Sequence, residues 1–255
     1  MEGYNNSDFF LVVGDAYELF ANNENVMTAS AFMRALNEPS CWVGNEQVVI
    51  GQGVSASELS KIFEMLKFRE IKNISHFGDL VPLHLTHKRH TDHVLISSPK
   101  KVTSHCYEYS LVLNDRMDRL CDHVTGQHIG AMQFLEAARQ AMIATLEYEY
   151  MESTGKHIGL ILERFDSKFE NYVFPLPISM SVNVIERMTA KNNHPSVTVL
   201  IGIFQVGRRM CQIEMDITLY DITLLGKIEV RNAKRAITTL MQTCQKPQNV
   251  TMEPL

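Results

Sequence analysis

From Gly130 to Tyr150 the chain reads as one helix that is apolar almost all round, with Phe134, Leu135, Ala137, Ala138, Ala141, Met142, Ile143, Ala144 and Leu146 spread over every side. A helix with no water-facing stripe has to be covered on most of its surface. The cover follows directly in the sequence as four strand-like runs, Ile158–Arg164, Tyr172–Arg187, Ser196–Val206 and Met210–Tyr220. Ser179-Met-Ser-Val-Asn-Val-Ile and Ile213-Glu-Met-Asp-Ile-Thr-Leu alternate strictly, so each has one apolar and one polar face. Pro175 and Pro177 make the early part of the second run an edge or a bend.

A long apolar helix followed by long antiparallel strands predicts an α+β fold in which a curved sheet wraps the helix. This is the hotdog arrangement, expected over residues 81–246, with the closed unit at about 85–222. Val94–Ser97 and His105–Leu113 are read as earlier strands of the same sheet. Lys227–Gln245 is a last amphipathic helix whose basic residues form a solvated face, and 247–255 is a flexible tail. Residues 1–80 form a small α/β region. Phe9–Val13 and Gln47–Ile50 are its strands and Met27–Leu36 a helix; Ser55-x-x-Glu58 is a capping box opening a helix that buries Leu59, Ile62, Phe63 and Leu66. Gly51-Gln-Gly53 before that helix lacks the third glycine of a dinucleotide loop and reads as a turn.

Composition narrows the partners. A net charge of −5 gives no electrostatic case for nucleic acid. No apolar run reaches the ~18 residues of a membrane span, and the first residues carry no basic leader. The five cysteines are odd in number and lack Cys-x-x-Cys, as expected of reduced thiols in a cytoplasm. His84, His87, His90 and His93 recur every third residue, but neither helix nor strand brings all four to one ion, so no metal is expected. The sequence calls for no cofactor. The fourteen methionines are read first as core filling, and secondarily as the lining of an acyl tunnel.

The chemistry concentrates from Asp122 to Ala141. On the helix, Glu136, Arg139 and Gln140 stand at i, i+3 and i+4 and share a face that Gln133 extends by a turn. A guanidinium keeps such a carboxylate ionised. His123 and His128 lie in the preceding loop, where an imidazole serves as general base. Gly126 and Gly130 let that loop turn tightly, so amides at the helix start can meet a carbonyl oxygen or its oxyanion. A base, an acid and backbone donors together suit acyl-thioester chemistry. The competing reading of Glu136 and Arg139 is a structural ion pair, and that of His128 a helix cap.

The stretch Glu136-Ala-Ala-Arg139-Gln140 resembles the A-factor biosynthesis hotdog family, synthases of γ-butyrolactone signals. His87-Lys88 followed by Asp92-His93-Val94-Leu95-Ile96-Ser97 is similar to that family's entry strand. The same helix is similar to hydroxyacyl-carrier-protein dehydratases, but Arg139 and the missing prolines around His123-Val-Thr-Gly126 depart from their motif. The resemblance implies transfer of a β-ketoacyl group from acyl carrier protein or acyl-CoA to a hydroxyl such as that of dihydroxyacetone phosphate. Loop, helix and resemblance together make His123, Glu136, Arg139, Gln140 and His128 the candidate catalytic residues, and Asp122, Gly126, Gly130, Gln133, His87 and Lys88 the candidate substrate-binding ones. A dehydratase, a thioesterase or a non-catalytic acyl-binding regulator are the alternatives. A lone hotdog leaves an edge strand open and its groove half-built, so a homodimer is expected.

Overall fold

The computed structural model describes residues 9–38, 46–114, 125–155, 157–191 and 194–244. The N-terminal unit is a parallel sheet of β1 (Phe9–Val13), β2 (Val26–Thr28), β3 (Gln47–Ile50) and β4 (Asn73–Ser75), ordered β2-β1-β3-β4. Helix α1 (Ala29–Asn37) is capped by Thr28, whose hydroxyl accepts the Ala31 N–H at 3.3 Å. It starts later than its pattern suggests because Met27 pairs with Val12 in β2. Helix α2 (Ala56–Phe68) opens on the expected capping box, with Glu58 accepting the Ser55 N–H at 2.9 Å. Phe32, Leu36, Ile62 and Leu66 bury themselves against Val12, Val48 and Ile50.

The second unit contains α3 (Leu83–Thr86), β5 (Lys100–Thr103), β6 (Cys106–Ser110), α4 (Ala131–Thr154), β7 (Ile158–Phe169), β8 (Ser179–Lys191), β9 (His194–Gln205), β10 (Arg208–Asp221) and α5 (Ile222–Cys244). Its sheet is ordered β5-β6-β8-β9-β10-β7 with every pairing antiparallel. The buried helix expected over Gly130–Tyr150 is α4. Ala137, Ala138, Ala141 and Ala144 are at most 1% exposed. Side chains that short let the helix axis approach the inward rows Met180, Val182, Val199, Ile201, Ile213 and Met215. The fold is the hotdog predicted by the pattern.

Several boundaries differ, each for a local reason. Val94–Ser97 is not a regular strand. Ile96 and Ser97 make only isolated bridges to Leu111 and Leu80, because a side chain of α4 takes the Leu95 amide. β5 was not anticipated, since its four residues are all exposed and carry no alternation. β8 begins only at Ser179, after the two prolines, while β7 runs on to Phe169. α5 begins at Ile222 because the Asp221 carboxylate accepts the N–H groups of Thr223 and Leu224 at 2.9 and 3.2 Å. The tail 247–255 lies outside the described residues.

The two units meet through Gly51-Gln52-Gly53. A Cβ on Gly14 would lie 2.1 Å from the Gly53 carbonyl oxygen, so backbone touches backbone there. Gln52, wholly buried, donates from Nε2 to the Leu111 carbonyl at 3.0 Å and accepts the Leu113 N–H at 2.8 Å. Amides of Gly51, Gln52 and Gly53 donate to the carbonyls of Val12, Pro175 and Leu113. In a parallel sheet ordered 2-1-3-4, the crevice between β1 and β3 at their carboxyl ends is the usual ligand position. Here the second unit's own chain takes the Gln52 and Gly53 amides of the β3 loop. Leu11, Val13 and Tyr17 accordingly pack into the same buried cluster as α4, β8 and β9.

Candidate functional site

The loop before α4 is built on Thr125. Its hydroxyl accepts the His128 N–H at 3.1 Å and the Gln127 N–H at 3.3 Å, and lies 3.1 Å from the His128 Nδ1. Gly126 has φ +74°, a left-handed turn in which its carbonyl accepts the Phe20 N–H at 2.9 Å. The His128 ring meets Tyr172 edge-on at 5.2 Å. Gly130 caps α4 with extended backbone and no side-chain hydrogen bond, so the helix start is left without a side-chain acceptor for its first amides. His128, Ile129, Ala131, Phe134, Phe169 and Tyr172 line a cavity of about 560 Å³ at this end of the helix. His123 and Asp122 lie outside the described residues.

One turn further along α4, Glu136 is gripped from three sides. Arg139 donates from Nε and Nη2 to its two oxygens at 2.8 and 2.9 Å, Lys88 Nζ lies 2.5 Å from Oε1, and Gln140 Nε2 donates to Oε1 at 3.0 Å. Burial alone would raise this carboxyl, but the hydrogen bonds of Arg139, Lys88 and Gln140 outweigh it and hold the pKa at about 2. Gln140 is fully buried and spends both ends of its amide: Nε2 donates to the His93 carbonyl and Oε1 accepts the Leu95 N–H, each at 2.9 Å. The entry segment is therefore laced to the helix by Lys88 and Gln140. A carboxylate ionised down to about pH 2 does not act as a proton donor near neutrality; it orients and charges its surroundings.

Sequence reasoning missed Glu147. Eleven residues after Glu136 is three helical turns plus about 20°, so the two carboxylates share one face roughly 16 Å apart. Glu147 is wholly buried, with His87 Nε2 at 2.8 Å from one oxygen and His157 Nδ1 at 2.9 Å from the other. His87 sits at φ +54° as the left-handed cap of α3, and the neighbouring side chains of His87 and Lys88 reach two different carboxylates on α4. The +11 spacing was the signal that would have found Glu147.

The structure thus brings Glu136, Arg139, Gln140 and Lys88 together, places His87 on Glu147, and puts His128, Gly126 and Gly130 at the helix start. Gln133 is buried on the first turn of α4, with its backbone N–H donating to the Gly130 carbonyl at 3.2 Å. His128 bonds to Thr125 and lines the cavity, whereas Glu136 faces the entry segment. The histidine series diverges: His84 stacks edge-on with His157, His87 holds Glu147, and His90 and His93 face one another. Among the described residues no group of three or more His, Cys, Asp or Glu is disposed to hold a metal ion, and no helix is long and apolar enough to cross a membrane.

Comparison with solved structures returns a dehydratase complex and thioesterases of low identity. The dehydratase heterocomplex ApeI:P of Xenorhabdus doucetiae is 12% identical, covering 55% of this chain and 91% of that one, with a TM-score of 0.43. A thioesterase of Pseudomonas aeruginosa is 10% identical over 50% of this chain and 82% of that one, TM-score 0.37. A thioesterase of Staphylococcus aureus is 8% identical over 48% and 91%, TM-score 0.35. No curated protein matches the chain in sequence. The A-factor biosynthesis hotdog domain (AfsA) matches residues 70–221, more than half of the chain and all of the large sheet together with α4. The chain belongs to the A-factor biosynthesis hotdog family.

Proposed function

We propose that this hotdog protein processes acyl thioesters as an acyltransferase, moving a β-ketoacyl group from acyl carrier protein or acyl-CoA to a hydroxyl acceptor such as dihydroxyacetone phosphate. The observation that carries this reading is the start of α4, with no side-chain cap, opening beside His128 on a cavity of about 560 Å³ where Ile129, Phe134, Phe169 and Val173 meet the polar Glu170 and Asn171. The thioester carbonyl is polarised by the Ala131 and Met132 amides at the start of α4, where the helix dipole favours developing negative charge. His123 takes the proton of the attacking hydroxyl as the ester C–O bond forms; the C–S bond then breaks, and the protonated His123 returns that proton to the departing carrier thiolate. His128, its Nδ1 engaged by Thr125, offers Nε2 as the second base. Glu136, with Arg139 and Gln140, holds the entry segment in place, and Arg139 with Lys88 supplies positive charge for an acceptor phosphate. Asp122, Gly126, Gly130, Gln133 and His87 shape the surrounding loop and helix.

The enzyme works as a homodimer in the cytoplasm. β7 pairs only with β10 among the described strands, and Leu162 and Phe169 on it are 44% and 45% exposed. Antiparallel pairing of two such edges completes the sheet and sets the partner's β7 beside Phe169, at the cavity. Incubation with a β-ketoacyl carrier protein, a β-ketoacyl-CoA and dihydroxyacetone phosphate, read by mass spectrometry, tests the reading. An ester product lost in His123→Ala supports it. A free acid, an enoyl thioester from a β-hydroxyacyl thioester supplied in a parallel reaction, or no turnover with any thioester overturns it in favour of a thioesterase, a dehydratase or an acyl-binding regulator.

A further inference from the structure

Helix α5 begins at the end of β10 and leaves the domain. It is anchored near its start, where Leu225 is 9% exposed and fills the space above Gly159, a glycine whose added Cβ would lie 2.6 Å from the Leu225 side chain. From Arg231 to Thr243 every residue is exposed. An isolated helical stretch of that length is marginal in water. The chain nevertheless spends large apolar residues on it: Val230, Ile237 and Leu240 are 57%, 55% and 63% exposed. These residues lie beyond the 70–221 span that the family accounts for.

Their spacing is specific. Val230, Ala233, Ile237 and Leu240 alternate by three and four, the a and d positions of a heptad, and Cys244 falls at the next a in sequence. In the same phase the outer b, c and f positions are Arg231, Asn232, Arg235, Thr238, Thr239 and Gln242, all polar. β-Branched Val and Ile at a, with Leu at d, are the residues that favour two parallel strands. Charge selects the same arrangement. Glu229 occupies g and Lys234 the e position five residues later, so a parallel in-register pair sets Glu229 of each copy against Lys234 of the other. In an antiparallel pair e faces e and g faces g. Lys227, Lys234 and Met241 would then meet one another, and Glu229 would find no cation. We propose that α5 is an assembly helix that pairs, parallel and in register, with α5 of a second copy of this chain.

This inference does not rest on the proposed chemistry, and it is separated from pairing through β7 by working in a chain whose β7 edge is blocked with Leu162→Lys, where the α5 pair alone holds two copies together. Sedimentation equilibrium of the full chain at tens of micromolar tests it. In the Leu162→Lys chain, Ile237→Asp with Leu240→Asp, at exposed positions of α5, halves the mass and leaves thermal unfolding of the hotdog unchanged. Glu229→Lys alone replaces two attractions by two repulsions and weakens association about tenfold. Glu229→Lys combined with Lys234→Glu restores it. A Leu162→Lys chain whose mass equals that of the same chain carrying the two aspartates overturns the proposal. A charge swap that fails to rescue overturns the parallel register. Loss of binding to anionic phosphatidylserine vesicles in the aspartate variant, with mass unchanged, would instead make α5 a membrane-surface helix and overturn the proposal.

Discussion

Replacing Glu136 by Gln tests the electrostatics of the central helix directly. In the folded chain the Glu136 carboxyl titrates at about 2, against an ordinary value of 4.5, because Arg139, Lys88 and Gln140 all donate to it. A depression of that size corresponds to about 3 kcal/mol of folding stability at neutral pH, at about 1.4 kcal/mol per unit. The sign follows from the direction. The carboxyl is harder to protonate when folded, so its contribution is complete above the unfolded value and is lost as pH falls toward 2. By pH 3 only about 1.4 kcal/mol remains. Glu136→Gln keeps the shape and removes the charge, leaving Arg139 and Lys88 half-buried without their anion. Urea unfolding should show the variant about 2–3 kcal/mol less stable than wild type at pH 7, the two curves converging between pH 5 and 3. The residual folded protein should have lost turnover, because the entry segment is no longer clamped. A variant within 0.5 kcal/mol of wild type at pH 7 would refute the clamp, and so would a gap that stays constant down to pH 3.

Three further outcomes are expected. Gln140→Leu strands the Leu95 amide and the His93 carbonyl and should cost about 2–3 kcal/mol; hydrogen exchange at Leu95 should rise to the rate of a surface loop. Gln52→Ala removes the side chain that joins the two units at Leu111 and Leu113, and should cost about 2–4 kcal/mol by urea unfolding while raising exchange at Leu113. If the site is completed across a dimer, inactive His123→Ala and inactive Glu136→Gln proteins should regain part of the activity on mixing. A mixture that stays inactive after demonstrated subunit exchange would count against the shared site.

The fold was legible because its two governing patterns are physical necessities. An all-apolar helix cannot stand in water, and strictly alternating strands bury only one face. Glu136, Arg139 and Gln140 were legible as a cluster because i, i+3, i+4 spacing alone puts them on one face. Glu147 was not, because its histidine partners lie 60 and 10 residues away, and a glutamate among tyrosines reads as the fraying end of a helix. β5 offers only exposed side chains and hence no alternation. Gly51-Gln-Gly53 reads as a turn, and nothing local tells that Gln52 fastens to the chain at 111–113. Val94–Ser97 has the composition of a strand, but its pairing is decided by a side chain 45 residues downstream.

The Gly-Gln-Gly junction also governs how this chain can be rebuilt. A recombinant that exchanged residues 1–80 for another α/β unit would have to reproduce a loop tip with no side chain at Gly53, an amide two carbons long at Gln52, and apolar plugs equivalent to Leu11, Val13 and Tyr17. Trimming the same residues away would uncover a face of the hotdog's own core and leave the polar backbone of Leu111 and Leu113 unanswered. The unit ahead of the matched domain and the hotdog therefore share one buried interface, and a change on either side has to be answered on the other.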